Sequence, residues 1–291
     1  MKNFYYLIAA VLLLCIAGCT TDTVETPIQG VPSTTKLVVD IANPQTKVAL
    51  GDKNEEGKYS VYWSEGDKIS VNGYISEEAV INSENAGSAQ FVFLNTILNY
   101  PYNILYPASE SNTVLFNERQ NYVEGSFEVG SAPMYGRATS SSESIKLAHL
   151  SGVLKFSIKG ENSATVLDKM VITAEEGAIA GEFSVDFANG TISPADSAVS
   201  TMEYSFGKGL QLSASEAKEF FVVLPCGEFG LCNIKLYTTE GDVMFLRFRT
   251  SGTSAVKAGV VREFAEVTFK HGAQWALTPF ESDEDKLIID E

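Results

Sequence analysis

The sequence predicts an all-β chain built from antiparallel sandwiches, and three observations carry that reading. Apolar and polar residues alternate at period two in short runs bounded by Gly, Pro, Asn and Asp. No stretch of twelve residues holds a 3.6-residue apolar period. The composition, with Gly 23, Tyr 12 and Phe 17, suits turns and strands better than helical bundles. A period-two strand buries only one face, so two sheets must stack. With 291 residues, 45% hydrophobic and 20% charged, the chain has room for two domains or one large one, each with a real core.

The elements follow in order. Lys2, the apolar run Tyr5–Ile16 and the small pair Ala17–Gly18 before Cys19 read as a secretory signal, residues 1–18. The run is too short for a comfortable membrane span of about 20 residues. Ile16-Ala17-Gly18-Cys19 resembles the lipobox of bacterial lipoproteins. The resemblance implies that Cys19 becomes a lipidated N-terminus on the outer membrane. Two acyl chains hold a protein stably on a membrane without spanning it. Residues 19–33 are polar and acidic and read as a flexible tether.

Strands are then predicted at Lys36–Ile41 (Leu37, Val39 and Ile41 on one face), Tyr59–Trp63, Lys68–Val71, Gln90–Leu94, Tyr102–Tyr106 and Thr113–Phe116. In Val153–Lys159, Leu154, Phe156 and Ile158 face in, while Lys155, Ser157 and Lys159 face out. Glu182–Phe187, Cys232–Tyr237 and Glu263–Phe269 alternate likewise. Phe220–Leu224 is wholly apolar, as a strand covered on both faces would be. Ser213-Ala214-Ser215-Glu216 is the best helix start, a capping box with at most two turns behind it. The polar break Gly160–Ala164 sets a domain boundary: 34–160 for one sandwich, 161–291 for the next.

Chemistry-bearing motifs fail on spacing. Gly51 and Gly57-Lys58 have five residues between the glycines and Tyr59 after the lysine, which breaks a phosphate loop. The loop Asp52–Gly57 carries Trp63 where a calcium cage needs its bidentate acid. The two imidazoles, His149 and His271, read as a hydrogen-bonded structural residue and an exposed turn residue, so no nucleophilic triad is expected. The acidic run Glu281–Asp285 reads as a solvated segment. Cys226 and Cys232 flank a five-residue connection read as a hairpin loop. A disulfide and two free thiols are both open there, since geometry decides. No metal, cofactor or catalytic residue is assigned. A net charge of −16 argues against nucleic acid as a partner.

A family resemblance rests on four segments. They are Thr46–Leu50 with Val61-Tyr62-Trp63-Ser64-Glu65-Gly66-Asp67-Lys68-Ile69-Ser70-Val71, His149-Leu150-Ser151-Gly152-Val153-Leu154-Lys155-Phe156, Ala258-Gly259-Val260-Val261-Arg262-Glu263-Phe264, and the lipobox. In this order they resemble the fimbrillin-like lipoproteins of Bacteroidales, subunits of type V pili. The resemblance implies two tandem transthyretin-like sandwiches, a structural and non-enzymatic role, and other fimbrial subunits as partners. It also implies assembly in which the first strand is removed by a protease and a neighbour's C-terminal strand fills the slot. Mapped here, Leu37, Val39 and Ile41 fill the groove. The donor lies in residues 275–291, with Leu277, Phe280, Leu287, Ile288 and Ile289 as plugs. The family's processing site follows an arginine, and this chain has none before Arg119, so cleavage would use Lys36 or Lys47 or not occur. Uncleaved, the chain fits a base or anchor; a tip or stalk position needs the cut. The alternative is a monomeric outer-membrane lipoprotein that binds a host or other glycan on Tyr59, Tyr62, Trp63, Tyr100 and Tyr102.

Overall fold

The structure is a computed structural model that describes residues 34–41, 59, 62–97, 99–277 and 288–289. In chain order the strands are β1 (Thr35–Ile41), β2 (Ser70–Val71), β3 (Tyr74–Ile75), β4 (Val80–Ile81), β5 (Ser88–Phe93), β6 (Tyr102–Tyr106), β7 (Thr113–Phe116), β8 (Arg119–Asn121), β9 (Met134–Ala138), β10 (Ile145–His149) and β11 (Ser151–Lys159). They continue as β12 (Val166–Ala174), β13 (Gly181–Asp186), β14 (Thr191–Pro194), β15 (Thr201–Gln211), β16 (Lys218–Pro225), β17 (Leu231–Thr238), β18 (Val243–Arg249), β19 (Val261–Glu263), β20 (Val267–Thr268), β21 (Gln274–Ala276) and β22 (Ile288–Ile289). Among the described residues the only helical element is a single 3-10 turn, Gly252–Ser254. The chain is all-β. The predicted capping box forms no helix: Ser213 Oγ instead accepts the Ser215 N–H at 3.1 Å in a bend.

Four sheets organise the described residues. An eight-stranded sheet has the order β3-β2-β6-β9-β10-β1-β5-β4, and a seven-stranded sheet the order β22-β21-β18-β17-β12-β15-β8. A four-stranded sheet is built on β16-β11-β19 with β20, and a three-stranded sheet runs β14-β13-β7. The chain leaves the first sheet at Leu150, between β10 and β11. Residues of the first half nonetheless pair with the second: β7 with β13, and β8 with β15. The expected antiparallel pairing is broken by parallel pairs, among them β1–β10, β11–β19 and β18–β21. Parallel neighbours need long crossover connections, and each of these pairs joins segments far apart in sequence.

The four-stranded sheet is a middle layer. Leu154, Phe156 and Ile158 of β11 and Phe220, Val222 and Leu224 of β16 face a core shared with the seven-stranded sheet. Val153, Phe221 and Val223 face the other way, onto Val114, Phe116, Phe183 and Val185 of the three-stranded sheet. Both-face burial explains the unbroken apolar run in β16. It also corrects one expectation: Lys155, read as solvent-facing, is buried at 8% exposure. Its stem lies under the second layer, and its Nζ reaches Glu219 Oε1 at 2.7 Å and Glu263 Oε2 at 3.6 Å. The predicted Glu263–Phe269 strand divides into β19 and β20, which pair with opposite ends of β11.

Two of the sequence motifs interlock in this layer. The β11 segment and the Ala258–Phe264 segment lie side by side, with Val153 opposite Val261. Gly259 N–H donates to Ser151 O at 2.9 Å, and Phe264 N–H to Lys155 O at 3.0 Å. A Cβ on Gly152 would lie 2.6 Å from Lys257 O and 2.7 Å from Val256 Cγ1, so only glycine permits the approach.

Candidate functional site: the first strand and the C-terminal edge

The first strand is not an edge. β1 lies between β5, antiparallel from Thr35↔Phe93 to Asp40↔Ser88, and β10, parallel from Val39↔Ile145 to Ile41↔Leu147. Its burial alternates as period two requires: Val39 is fully buried, Ile41 is 7% exposed and Leu37 packs partly against the same core, whereas Val38 is 58% exposed. Burying an aliphatic side chain of this size is worth about 1.5–3 kcal/mol. Removing β1 would therefore leave two unpaired backbone ladders over an apolar slot, the condition that demands a replacement strand.

One side chain that the sequence reading offered to a glycan holds β1 instead. Trp63 is 3% exposed, and its indole Nε1–H donates to Val39 O at 3.3 Å. It meets Phe91 and Tyr106 edge-on at centroid distances of 5.0 and 5.4 Å. The Ser64–Asp67 turn fixes its approach. Gly66 supplies a φ of +85°, and the Ser64 N–H donates to Asp67 Oδ2 at 2.6 Å. The Tyr106 hydroxyl donates to Asp67 Oδ1 at 2.7 Å. Burial holds the Asp67 carboxyl above its ordinary value of 3.8, against the lowering effect of the Ser64 and Tyr106 hydrogen bonds. The Trp-Ser-Glu-Gly-Asp motif was the available sequence signal for this fastening.

At the other end of the chain, β21 pairs parallel with β18, and β22 pairs antiparallel with β21 through Trp275↔Ile289 and Ala276↔Ile288. Leu277 N–H donates to Arg247 O at 2.7 Å, and its side chain is 5% exposed in the chain's own core. Of the expected plugs, Leu277 is thus already buried at home, Ile288 and Ile289 form β22, and Phe280 and Leu287 lie outside the described residues.

Cys19 and Lys47 also lie outside the described residues. Lys36 is exposed on β1, opposite Val92. A cut after Lys36 falls inside the strand and leaves Leu37, Val39 and Ile41 in the sheet. A cut after Lys47 would free the whole of it.

Cys226 and Cys232 carry free thiols. The connection between them is not a hairpin, because β16 belongs to the middle sheet and β17 to the seven-stranded one. Burial pushes the thiols up to about 12 and about 11, respectively. Of the five aromatics weighed as a glycan platform, Tyr59, Trp63 and Tyr102 are buried, while Tyr62 and Tyr100 are 41% and 38% exposed. His149 is buried on β10. His271 is exposed, with Nδ1 3.1 Å from Asp242 Oδ1. No group of three His, Cys, Asp or Glu side chains that could hold a metal ion occurs among the described residues.

No protein-family model and no curated protein matches the chain. Among solved structures, it is similar to a Bacteroides ovatus protein whose name assigns it to cell adhesion (13% identity, 89% of this chain and 100% of that one, TM-score 0.49). It is also similar to a fimbrial protein of Bacteroides ovatus (13% identity, 87% and 55%, TM-score 0.34). A third likeness is to the fimbrial anchor protein Mfa2 of Porphyromonas gingivalis (10% identity, 88% and 95%, TM-score 0.33).

Proposed function

We propose that this chain is a structural subunit of a surface fimbria that joins its neighbours by exchange of an extended segment. The observation that carries this is the position of β1. It is the first described strand of the chain, yet it sits between β5 and β10 over a buried apolar row. A segment so placed can be withdrawn without unthreading the fold, and its slot accepts any extended segment with apolar side chains at alternate positions. The C-terminal residues 275–291 are the donor. Lipidation of Cys19 with β1 retained describes an anchor; loss of residues up to Lys47 describes a stalk or tip subunit. Each half of the chain is a sandwich module in this reading; the division falls at Leu150, where the chain leaves the first sheet, rather than at residue 160, because β11 pairs with β16, β19 and β20. Glycan capture is the weaker reading, since only Tyr62 and Tyr100 of its platform face solvent.

The test is assembly. A chain beginning at Val48 should form ladders that resist mild denaturant. A chain that begins at Val48 and stops after Leu277 should fold, accept a donor and propagate no further. Absence of ladders from the first chain, or undiminished ladders from the second, overturns the reading.

A further inference from the structure

The seven-stranded sheet has two unlike faces. Its inner face carries Met170, Ile172, Ile234, Leu236, Met244 and Leu246 into the core. The alternate residues point outward. One outward row crosses six strands through Arg119, Glu203, Val171, Lys235, Phe245 and Gln274, about 24 Å at the usual strand spacing. The next row carries Lys169, Tyr237 and Val243. This face is positive, although the chain has a net charge of −16. Arg119, Lys169, Lys235 and Arg249 outweigh Glu203 and Asp168 on it. Glu203 is shared between Arg119 at 3.6 Å and Lys169 at 2.9 Å. Lys235 and Arg249 are exposed, and neither forms an ion pair with a described residue. The face is also aromatic. Tyr237 and Phe245 are half-buried diagonal neighbours, and Lys169 Nζ lies 6.0 Å from the centre of the Tyr237 ring. Tyrosine, phenylalanine and arginine gathered on one flat face are the composition of an interface.

The complement lies in the first half of the same chain. Val38, Gln90 and Val80 stand opposite one another on the outward face of β1, β5 and β4. Val80 and Leu94 are 61% and 60% exposed. The exposed carboxylates Glu77, Glu78 and Glu84 flank β4. Glu77 N–H donates to Val92 O at 2.7 Å, which fixes that end of the acidic segment against β5. Lys36 is the cation among the outward residues of β1, β4 and β5. An exposed apolar pair rimmed by acids therefore matches, in charge and in character, the aromatic face rimmed by bases. Both faces point away from the chain's own cores, so they meet only between two copies.

We propose that the outward face of the seven-stranded sheet docks a second copy of this chain through that copy's β4–β5 face. Opposite charge selects the partner and its register, while Tyr237 and Phe245 meet Val80 and Leu94 between the charged rims. The two faces differ, so the contact is head-to-tail and leaves one free face at each end, the arrangement that extends into a filament. β5 borders β1, and β21 follows β18 in the basic sheet. Docking of this kind sets the C-terminal end of one copy towards the β1 slot of the next. That consequence rests on the assembly reading; the docking itself does not.

Sedimentation of the chain from Thr20 onward, which contains every described residue, tests the contact with β1 in place. The wild type should self-associate reversibly, and added salt should weaken the association. Lys235→Glu with Arg249→Glu should weaken it roughly tenfold, the effect of turning attractive pairs into repulsive ones. Glu77→Lys with Glu78→Lys should do the same. An equimolar mixture of the two variants should associate as the wild type does, because every mixed contact again joins opposite charges. A chain carrying all four changes should recover self-association as well. Lys235→Gln with Arg249→Gln, expected to weaken association roughly threefold, keeps the test open if charge reversal impairs folding. A wild type that stays monomeric at low salt overturns the proposal. So do variants that associate like the wild type, or a mixture that fails to recover. Weakening by the basic-face changes alone also overturns it, by giving that face to an occupant other than the β4–β5 face. Ladder formation by the chains beginning at Val48 is a separate measurement, so failure of one reading is distinguishable from failure of the other.

Discussion

β1 and β11 are both interior strands, yet they are held in different ways. β1 spans seven residues, buries one face and presents Val38 to solvent. β11 spans nine, is buried on both faces from Ser151 to Phe156, and carries strands on both edges along its length. Even the charge on β11 is internal, with Lys155 paired to Glu219 and Glu263. The contrast teaches that position within a sheet does not decide how firmly a strand is held. The number of faces that it buries does, because each face adds side-chain burial that a replacement must reproduce.

The largest expected effect breaks the middle layer. Phe220 is fully buried against Phe156, Tyr204 and Phe206. Phe220→Ala should cost about 3–5 kcal/mol and lower the denaturant midpoint accordingly. A loss under about 1 kcal/mol would mean that this layer is not the stabilising core.

Next in size is the seam between the halves. Gln120 on β8 imitates a strand: its Nε2 donates to Val223 O at 2.7 Å and its Oε1 accepts the Val223 N–H at 3.0 Å. Gln120→Leu removes both bonds and strands two buried backbone groups, a cost of about 2–4 kcal/mol. Chemical denaturation checks it, and a neutral result would remove Gln120 from the seam.

Val39→Ala sharpens the comparison itself. It should cost about 2 kcal/mol locally. Amide exchange in β1 and its partners β5 and β10 should quicken while exchange in β11 and β16 stays slow. Uniform acceleration through both sheets would show that β1 does not open separately.

The smallest effect is a pH dependence beside β1. Burial raises the Asp67 carboxyl, so the folded chain holds that proton more tightly than the unfolded one. Its contribution to stability is therefore fullest below the ordinary value of 3.8 and is lost as pH rises through the raised folded value. Relative to Asp67→Asn, the wild type should gain stability on acidification from neutrality to about pH 4. Melting curves of both proteins at the two pH values check the sign, and an opposite slope would contradict the burial of Asp67.

Strand existence was legible wherever one physical cause controlled it. The alternation in Leu37–Ile41, Leu154–Ile158 and Phe183–Val185 follows from pleating, and the apolar run in Phe220–Leu224 follows from double burial. Lys155 was misread because alternation reports a strand's own two faces and cannot report a second layer laid over one of them. Cys226 and Cys232 looked like hairpin partners because sequence proximity is the only cue to pairing that a single chain offers. The structure sends β16 and β17 to different sheets.

The candidate site divides along the same line. Local sequence chemistry determined that Val39 and Ile41 point inward and that Gly66 turns the chain with a positive φ. Tertiary structure alone decided that β1 lies between β5 and β10 and that the Trp63 indole fastens Val39. The physical reason is range: φ, ψ and side-chain alternation are set by neighbours within a few residues. Which ladders and charges come together is settled only when whole sheets compete for the same apolar surface.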